Sequence, residues 1–222
     1  MKILALIPAY NEETSIADVL SHTRPYVDDI IVVDDGSVDR TAEIARTHGA
    51  IVVSHVINRG LGAAIGTGFV AAQKLGADIV ITLDADGQHD PAQIKPFIEA
   101  IEQGADMVIG SRMLTGFVGM PVYRRVAQVV GNLATFFLFG AWVTDSQSGF
   151  RALTKYALSR IQIKTNRMEV SSELIAEAKR NKLMLVEVPI KAIYTDYSLS
   201  KGQSFLVGLK TLLKLVVRRL TQ

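Results

Sequence analysis

The sequence contains no cysteine, which excludes a disulfide framework and any thiolate-held metal and fits a reducing compartment. It contains no G-x-x-x-x-G-K-[ST] stretch, so a P-loop is excluded. The first strand-to-helix turn, residues 8–12, has no glycine, and the glycines from Gly60 run G-x-G-x-x-x-G. Both features depart from the dinucleotide fingerprint. No Gly-x-Ser-x-Gly elbow is present for a serine nucleophile, and His22, His48, His55 and His89 lack zinc-ligand spacing. There is no internal repeat, low-complexity tract or linker. The opening Met1-Lys2-Ile3-Leu4-Ala5-Leu6-Ile7-Pro8 is too short for a secretory signal core and reads as a first strand.

What is present is 222 residues, 49% of them hydrophobic, enough to bury one sizeable core. The net charge of +2 gives no reason to expect nucleic-acid binding. It hides an asymmetry, because Lys201, Lys210, Lys214, Arg218 and Arg219 lie in a stretch, 197–222, without an acidic residue. Subtracting those five from the overall +2 leaves −3 on the rest. In that stretch Phe205, Leu209, Leu212, Val216 and Leu220 fall on one helical face and Lys210, Lys214 and Arg218 on another. A basic amphipathic helix over 201–222 is expected, suited to a membrane surface or to packing on the domain.

Apolar runs at 3–7, 30–33, 51–54, 79–83 and 107–109 read as strands, with helices expected over 13–23, 38–48, 61–75 and 91–102. The alternation predicts an α/β fold with a mostly parallel sheet and helices on both faces. Right-handed crossovers then bring the carboxyl ends of the strands to one edge. Polar signatures follow those ends: Pro8-Ala9-Tyr10-Asn11-Glu12, Asp34-Asp35-Gly36-Ser37, Asn58-Arg59-Gly60-Leu61-Gly62, Asp84-Ala85-Asp86 and Gly110-Ser111-Arg112. Five such loops at one edge predict a nucleotide-sized crevice. Beyond 112 a helix over 168–180 and a strand over 184–190 are expected. The uncharged run 126–144 is long enough to span a bilayer. Gln128, Gly131, Asn132 and Gly140 interrupt it, so a buried or interfacial helix is expected instead.

The most informative stretch is Val80-Ile81-Thr82-Leu83-Asp84-Ala85-Asp86-Gly87-Gln88-His89-Asp90. A buried strand ends in two carboxylates at i and i+2, which project into the crevice where α/β sheets bind ligands. Hard oxygen donors suit Mg²⁺ or Mn²⁺ bridged to a diphosphate. The alternative is a solvated acidic turn, with Asp90 and Pro91 capping the next helix. Asp34 and Asp35 suit hydrogen bonds to a base N–H and ribose hydroxyls, while Ser37 reads as an N-cap. Gly60 and Gly62 permit close backbone approach to a ligand, and the other glycines near them tight helix–sheet packing. Arg112, Arg124, Arg125, Arg151 and Lys201 are cations for a second phosphate-bearing substrate, or solvated surface charges. Asp145 is the candidate partner for Arg151.

The motifs Ile7-Pro8-Ala9-Tyr10-Asn11-Glu12, Val33-Asp34-Asp35-Gly36-Ser37, Asn58-x-Gly60-x-Gly62-Ala63-Ala64, Asp84-Ala85-Asp86-Gly87-Gln88, Gly110-Ser111-Arg112 and Ser148-Gly149-Phe150-Arg151 occur in this order. In them the chain resembles glycosyltransferase family 2 enzymes of the GT-A fold, and more narrowly the polyprenyl-phosphate glycosyltransferases of the dolichyl-phosphate mannose synthase type. The resemblance implies a GT-A domain over 1–200, with a nucleotide-sugar half at 1–112 and an acceptor half at 113–200. It implies that Pro8, Ala9, Tyr10, Glu12, Asp34, Asp35, Asn58, Gly60, Gly62, Asp84 and Ala85 line the nucleotide-sugar site. Asp84, Asp86 and Gln88 would surround Mg²⁺ or Mn²⁺. Arg112 would sit by the phosphates, and Arg124 or Arg125 with Lys201 would receive the acceptor phosphate. The implied activity is inverting hexosyl transfer from a UDP- or GDP-sugar to dolichyl or undecaprenyl phosphate. Its implied setting is cytoplasmic, on the inner face of the membrane, with a homo-oligomer or membrane subunit left open. The family's arginine ahead of Ser200-Lys201 is missing from 194–199. Many relatives continue into membrane helices, whereas this chain resembles the short type. A hydroxyl acceptor is the alternative and would need a base such as Glu169 or Glu173; a non-catalytic nucleotide-sugar binder is the other.

Overall fold

The computed structural model describes residues 1–116 and 122–193. The tail helix expected over 201–222, Lys201 and the segment 194–200 lie outside the described residues, as does the side chain of Arg124. The strands are β1 (Ile3–Ala9), β2 (Asp29–Asp34), β3 (Ile51–Ser54), β4 (Ile79–Thr82), β5 (Met107–Ser111), β6 (Arg151–Thr154) and β7 (Leu185–Pro189). The helices are α1 (Ile16–Thr23), α2 (Thr41–Thr47), α3 (Leu61–Lys74), α4 (Ile94–Glu102), α5 (Val122–Phe139), α6 (Lys155–Arg160) and α7 (Val170–Arg180).

The strands form one sheet in the order β3-β2-β1-β4-β6-β5-β7. All neighbours are parallel except β6, which runs antiparallel between β4 and β5. Both faces are covered, so the strands read as continuous apolar runs rather than alternating ones. Leu4, Leu6, Ile31, Val33 and Val80 pack under α3, α6 and α7. Their neighbours Ala5, Ile7, Ile30, Val32 and Ile81 pack under α1, α2 and α4. Helix α3 lies close on β1 because Gly68 has no side chain; a Cβ there would fall 2.1 Å from Leu6 Cδ1.

Two elements escaped the sequence pattern, the short β6 and α6. Inserting β6 between β4 and β5 joins the first 116 residues and the chain after 122 into a single sheet. Strand β6 also starts, rather than ends, at the ligand edge: Arg151 lies opposite Thr82, the last residue of β4.

Helix α5 is inverted relative to an ordinary surface helix. Gln128, Asn132 and Thr135 are buried against the domain, while Val126, Val129, Val130, Leu133, Phe136 and Phe137 are exposed. The polar breaks in the run 126–144 are therefore its domain-facing anchors. Among the described residues no helix is long and apolar enough to cross a membrane.

Candidate active site

The loops after β1 and β2 are locked to each other by long-range hydrogen bonds. Asn11 adopts a left-handed conformation with φ 55, which short polar side chains tolerate. Its backbone N–H donates to Ser37 Oγ at 2.9 Å, and its Oδ1 accepts from the Val38 N–H at 3.0 Å. The Glu12 N–H donates to Thr41 Oγ1 at 2.8 Å. Ser37 is thus a loop tie rather than the N-cap expected from the sequence, because α2 begins only at Thr41. Pro8 and Ala9 end β1, and Tyr10 follows with 43% of its surface exposed at the crevice mouth.

Asp34 accepts the Ser37 N–H at 3.1 Å. Asp35 accepts three donors: the N–H groups of Arg59 at 2.9 Å and Gly60 at 2.6 Å, and His55 Nδ1 at 2.6 Å. The other ring nitrogen of His55 meets Thr67 Oγ1 at 2.9 Å. Asp35 therefore staples the Asn58–Gly62 loop to the end of β2. Gly60 and Gly62 press against another stretch of chain, since a Cβ on either would fall 2.4 Å from Asn166 O and 2.1 Å from Thr165 O. Glu173 in turn holds that stretch, accepting from the N–H groups of Lys164 at 3.0 Å and Thr165 at 2.9 Å.

Asp84, Ala85, Asp86 and Gln88 follow β4 directly, and Asp90 caps the next turn by accepting the Ala92 N–H at 3.0 Å. Asp86 Oδ1 accepts the Gln88 N–H at 3.0 Å, and Oδ2 accepts from the Gln88 side-chain amide. Burial raises the Asp84 carboxyl above the ordinary range, with Glu12 adding to the rise and Arg112 and Arg151 opposing it. Asp84 keeps 41% side-chain accessibility, so its carboxylate opens onto the crevice. Asp86 is raised by burial and by the neighbouring charge of Asp84. Two carboxylates, each short of compensation and set side by side at a strand edge, are a donor set that a divalent cation fits. Among the described residues no group of three His, Asp or Glu forms a closed cage. An open pair suits a cation that takes its other ligands from phosphate and water.

One side chain, His89, and one glycine, Gly149, fix Asp84. The Asp84 N–H donates to His89 Nδ1 at 3.1 Å, and His89 Nε2 lies 3.6 Å from Asp84 Oδ2. His89 stacks on Phe150 with centroids 5.1 Å apart, and burial pushes its pKa down to about 4. It is therefore neutral at pH 7, with Nδ1 the acceptor. Gly149 forms the other side, where a Cβ would fall 2.4 Å from Asp84 Oδ1.

Arg112, directly after β5, acts on Asp84 through its charge. Its Nε and Nη2 donate to Asp145 at 2.7 and 2.8 Å, a bidentate fork, and its N–H adds a third bond at 3.1 Å. Asp145 thus pairs with Arg112 and not with Arg151 as the sequence suggested. Arg151 instead donates to the carbonyls of Ser148 and Ser146. Gln128 of α5 also donates to Asp145, at 2.7 Å, and Glu187 of β7 accepts the Thr144 and Asp145 N–H groups at 2.9 and 3.1 Å. Arg125 is half-buried on α5. Asp145 is fully buried, so Asp145→Ala strands a guanidinium and an amide. It should cost about 3 kcal/mol in urea unfolding, and a loss under 1 kcal/mol would contradict this pairing.

A profile described as Glycosyl transferase family 2 matches residues 5–162. The chain belongs to glycosyltransferase family 2. An uncharacterized protein of Methanocaldococcus jannaschii is 44% identical over 99% of this chain and 93% of its own length. The UDP-N-acetylglucosamine–dolichyl-phosphate N-acetylglucosaminyltransferase of Methanococcus voltae is 39% identical over 98% of this chain and 96% of its own length. Glucosyl-3-phosphoglycerate synthase from Mycobacterium tuberculosis, solved with Mn²⁺, UDP and phosphoglyceric acid, superposes with a TM-score of 0.76. It shares 22% identity, over 98% of this chain and 78% of its own, so the likeness speaks for the fold. The family 2 chain is a glycosyltransferase with a GT-A fold, and the crevice edge where its motifs gather is the candidate active site.

Proposed function

We propose that the protein transfers a hexosyl group, with inversion, from a UDP- or GDP-sugar to a polyprenyl phosphate such as dolichyl or undecaprenyl phosphate. The observation that carries this reading is the Asp84–Asp86 pair, both carboxyls raised by burial, with the charge of Asp84 raising Asp86 further and Arg112 opposing the rise of Asp84. The Methanococcus voltae relative, whose name gives a nucleotide sugar as donor and dolichyl phosphate as acceptor, supports it. Asp34, with more acceptor capacity to spare than Asp35, would meet the nucleoside along with Pro8, Ala9, Tyr10 and Glu12. Asn58, Gly60 and Gly62 would act through their main chain. Asp84, Asp86 and Gln88 would hold Mg²⁺ or Mn²⁺, Gln88 by turning its amide oxygen inward. Such a cation, when bound, neutralises charge on the departing nucleoside diphosphate.

The chain's own task is positioning. Arg112, held by Asp145, presents a guanidinium edge to the phosphates, and Arg124, Arg125 and Lys201 would receive the acceptor phosphate. A phosphate monoester with a second pKa of about 6 is largely dianionic at pH 7. Its oxygen forms the bond to the anomeric carbon while the bond to the diphosphate breaks, and the electron pair leaves with the nucleotide. No proton need be removed. A hydroxyl acceptor would require a base, and Glu173 already accepts from Lys164, Thr165 and the Thr165 hydroxyl. The decisive assay supplies labelled UDP- and GDP-sugars with polyprenyl phosphate or with polyprenol. Label is expected in the lipid extract only with the phosphate. Label appearing only with hydroxyl acceptors would overturn the reading.

The lipid acceptor has to be met at a bilayer surface, here the cytoplasmic face. The outward apolar side of α5, where Phe137 is 79% exposed, and Trp142 just beyond its end, 61% exposed, suit that contact, because aromatic rings favour the interface. Phe137→Ser together with Trp142→Ser should lower co-sedimentation with anionic vesicles about a hundredfold or more, each buried ring being worth roughly 1.5–3 kcal/mol. Unchanged binding would exclude α5 from the contact. The basic stretch at 201–222 would add attraction to anionic lipid, and a second copy or a membrane subunit would compete for the same face.

A further inference from the structure

Arg151 has no task in the scheme above, yet among the described residues it is the largest fully buried side chain, at 2% exposure. Its Nε donates to Ser148 O and its Nη2 to Ser146 O, both at 2.8 Å. Those bonds hold one edge of the guanidinium against the 146–148 loop. Nη1, at the remaining edge, is buried with no hydrogen-bond partner. Buried donors left without acceptors are rare and point to a missing water or ligand. Burial lowers the Arg151 pKa to about 10 against the pull of Asp145 and Asp84, so the group stays charged at pH 7.

Arg151 also lines a small cavity at the crevice floor. Leu61 and Ile65 of α3 form one wall, Ser171 and Leu174 of α7 another, and Asp84 shares the rim. A phosphate group calls for several converging donors and no neighbouring anion, whereas this cavity sets Arg151 and the hydroxyls of Ser148 and Ser171 among mainly aliphatic walls, beside the acidic rim of Asp84 and with the Thr82 hydroxyl already given to Gly149 O. That chemistry fits a neutral oxygen on a small, partly apolar substituent. We propose that Arg151 is a donor-sugar-binding residue whose Nη1 donates to a substituent oxygen of the hexosyl group being transferred, seated in this cavity. The oxygen is a ring hydroxyl or the carbonyl of an acetamido group. The inference rests on the nucleotide-sugar reading and adds a residue to it.

The test titrates wild type, Arg151→Met and Ser171→Leu in Mn²⁺ buffer by calorimetry. The ligands are UDP, UDP-glucose and UDP-N-acetylglucosamine, with GDP and GDP-mannose in parallel. Arg151→Met should weaken the sugar nucleotide about tenfold or more, as expected for one charge-assisted hydrogen bond. The bare nucleoside diphosphate should stay within about twofold, well under the tenfold of 1.4 kcal/mol. A loss confined to UDP-N-acetylglucosamine assigns the acetamido carbonyl, and a loss common to all sugars assigns a hydroxyl. Should thermal unfolding show that Arg151→Met does not fold, Ser171→Leu decides, because it fills the cavity from the opposite wall and leaves Arg151 in place. Parallel weakening of nucleotide and sugar nucleotide would overturn the proposal in favour of a diphosphate contact. Unchanged affinities would overturn it in favour of a buried water. A wild type that binds neither UDP nor GDP would sink the nucleotide-sugar reading itself, and this inference with it, before any variant is compared.

Discussion

Asp86→Asn is expected to cut turnover about a thousandfold while making the chelator-treated protein more stable. The two effects have one origin. Burial and the adjacent charge of Asp84 raise the Asp86 carboxyl, so its ionised form costs folding stability when no cation is bound. The sign follows from linkage. Below the unfolded value near 3.8 both states are protonated and the group contributes no slope. Between that value and the raised folded value the native state holds the extra proton, so stability falls as pH rises. Above the folded value the full penalty is present. In EDTA, wild type should therefore lose stability relative to Asp86→Asn as pH rises from 4 toward 7. Urea unfolding of both proteins at each pH measures the difference and cancels carboxylates outside the Asp84–Asp86 pair, such as Asp39, whose pKa is lowered. Turnover should fall by about 10³-fold, the order seen when an electrostatic stabiliser of the transition state is removed. An Asn variant less stable than wild type at pH 7 in EDTA would contradict the electrostatic description of the pair.

Gly149→Ala should lower kcat by about 10²-fold, the scale of a misplacement of roughly 1 Å at a reacting centre. The added methyl would lie 2.4 Å from Oδ1 and 2.7 Å from Oδ2 of Asp84. Asp84 is short, and its backbone is tied through the N–H to His89, so the carboxylate has to rotate out of place. Gly149 itself is pinned by Thr82 Oγ1, which donates to its carbonyl at 2.6 Å. The fold should survive, because the displaced group faces the crevice. Steady-state kinetics and thermal unfolding on the same preparation separate the two. Full activity would show that the contact does not position Asp84, and a collapsed Tm would make it a packing residue instead.

Much of the fold was legible because apolar runs followed by polar signatures mark parallel strands whether or not their partners are known. The run 79–83 and the carboxylates after it are one example, and α3 begins where the pattern places it, at Leu61. Strand β6 was not legible. It is four residues long, opens on a charged residue and pairs antiparallel, so neither length nor alternation betrays it. Helix α5 was read for its hydrophobicity, and the sequence does not say that its polar minority, Gln128 and Asn132, faces inward to serve Asp145 and the Thr144 carbonyl. The candidate site shows the same division. Acidic residues at strand ends announce themselves. Their partners do not, since Arg112 finds Asp145 across 33 residues and Ser37 ties Asn11 across 26. His89, in the same loop as the acidic pair, was passed over because it was weighed only as a zinc ligand. His55 was missed for the same reason, and it supports Asp35 instead.

The central claim is that Asp84 and Asp86 together hold a divalent cation needed for sugar transfer. Its most direct test is the rate of label transfer into lipid after exhaustive chelation, followed by titration of Mn²⁺ or Mg²⁺ into wild type and Asp86→Asn. The account predicts no transfer by the stripped enzyme, saturable recovery in wild type and none in the variant. Undiminished transfer with the chelator still present, or equal recovery in both proteins, would contradict it.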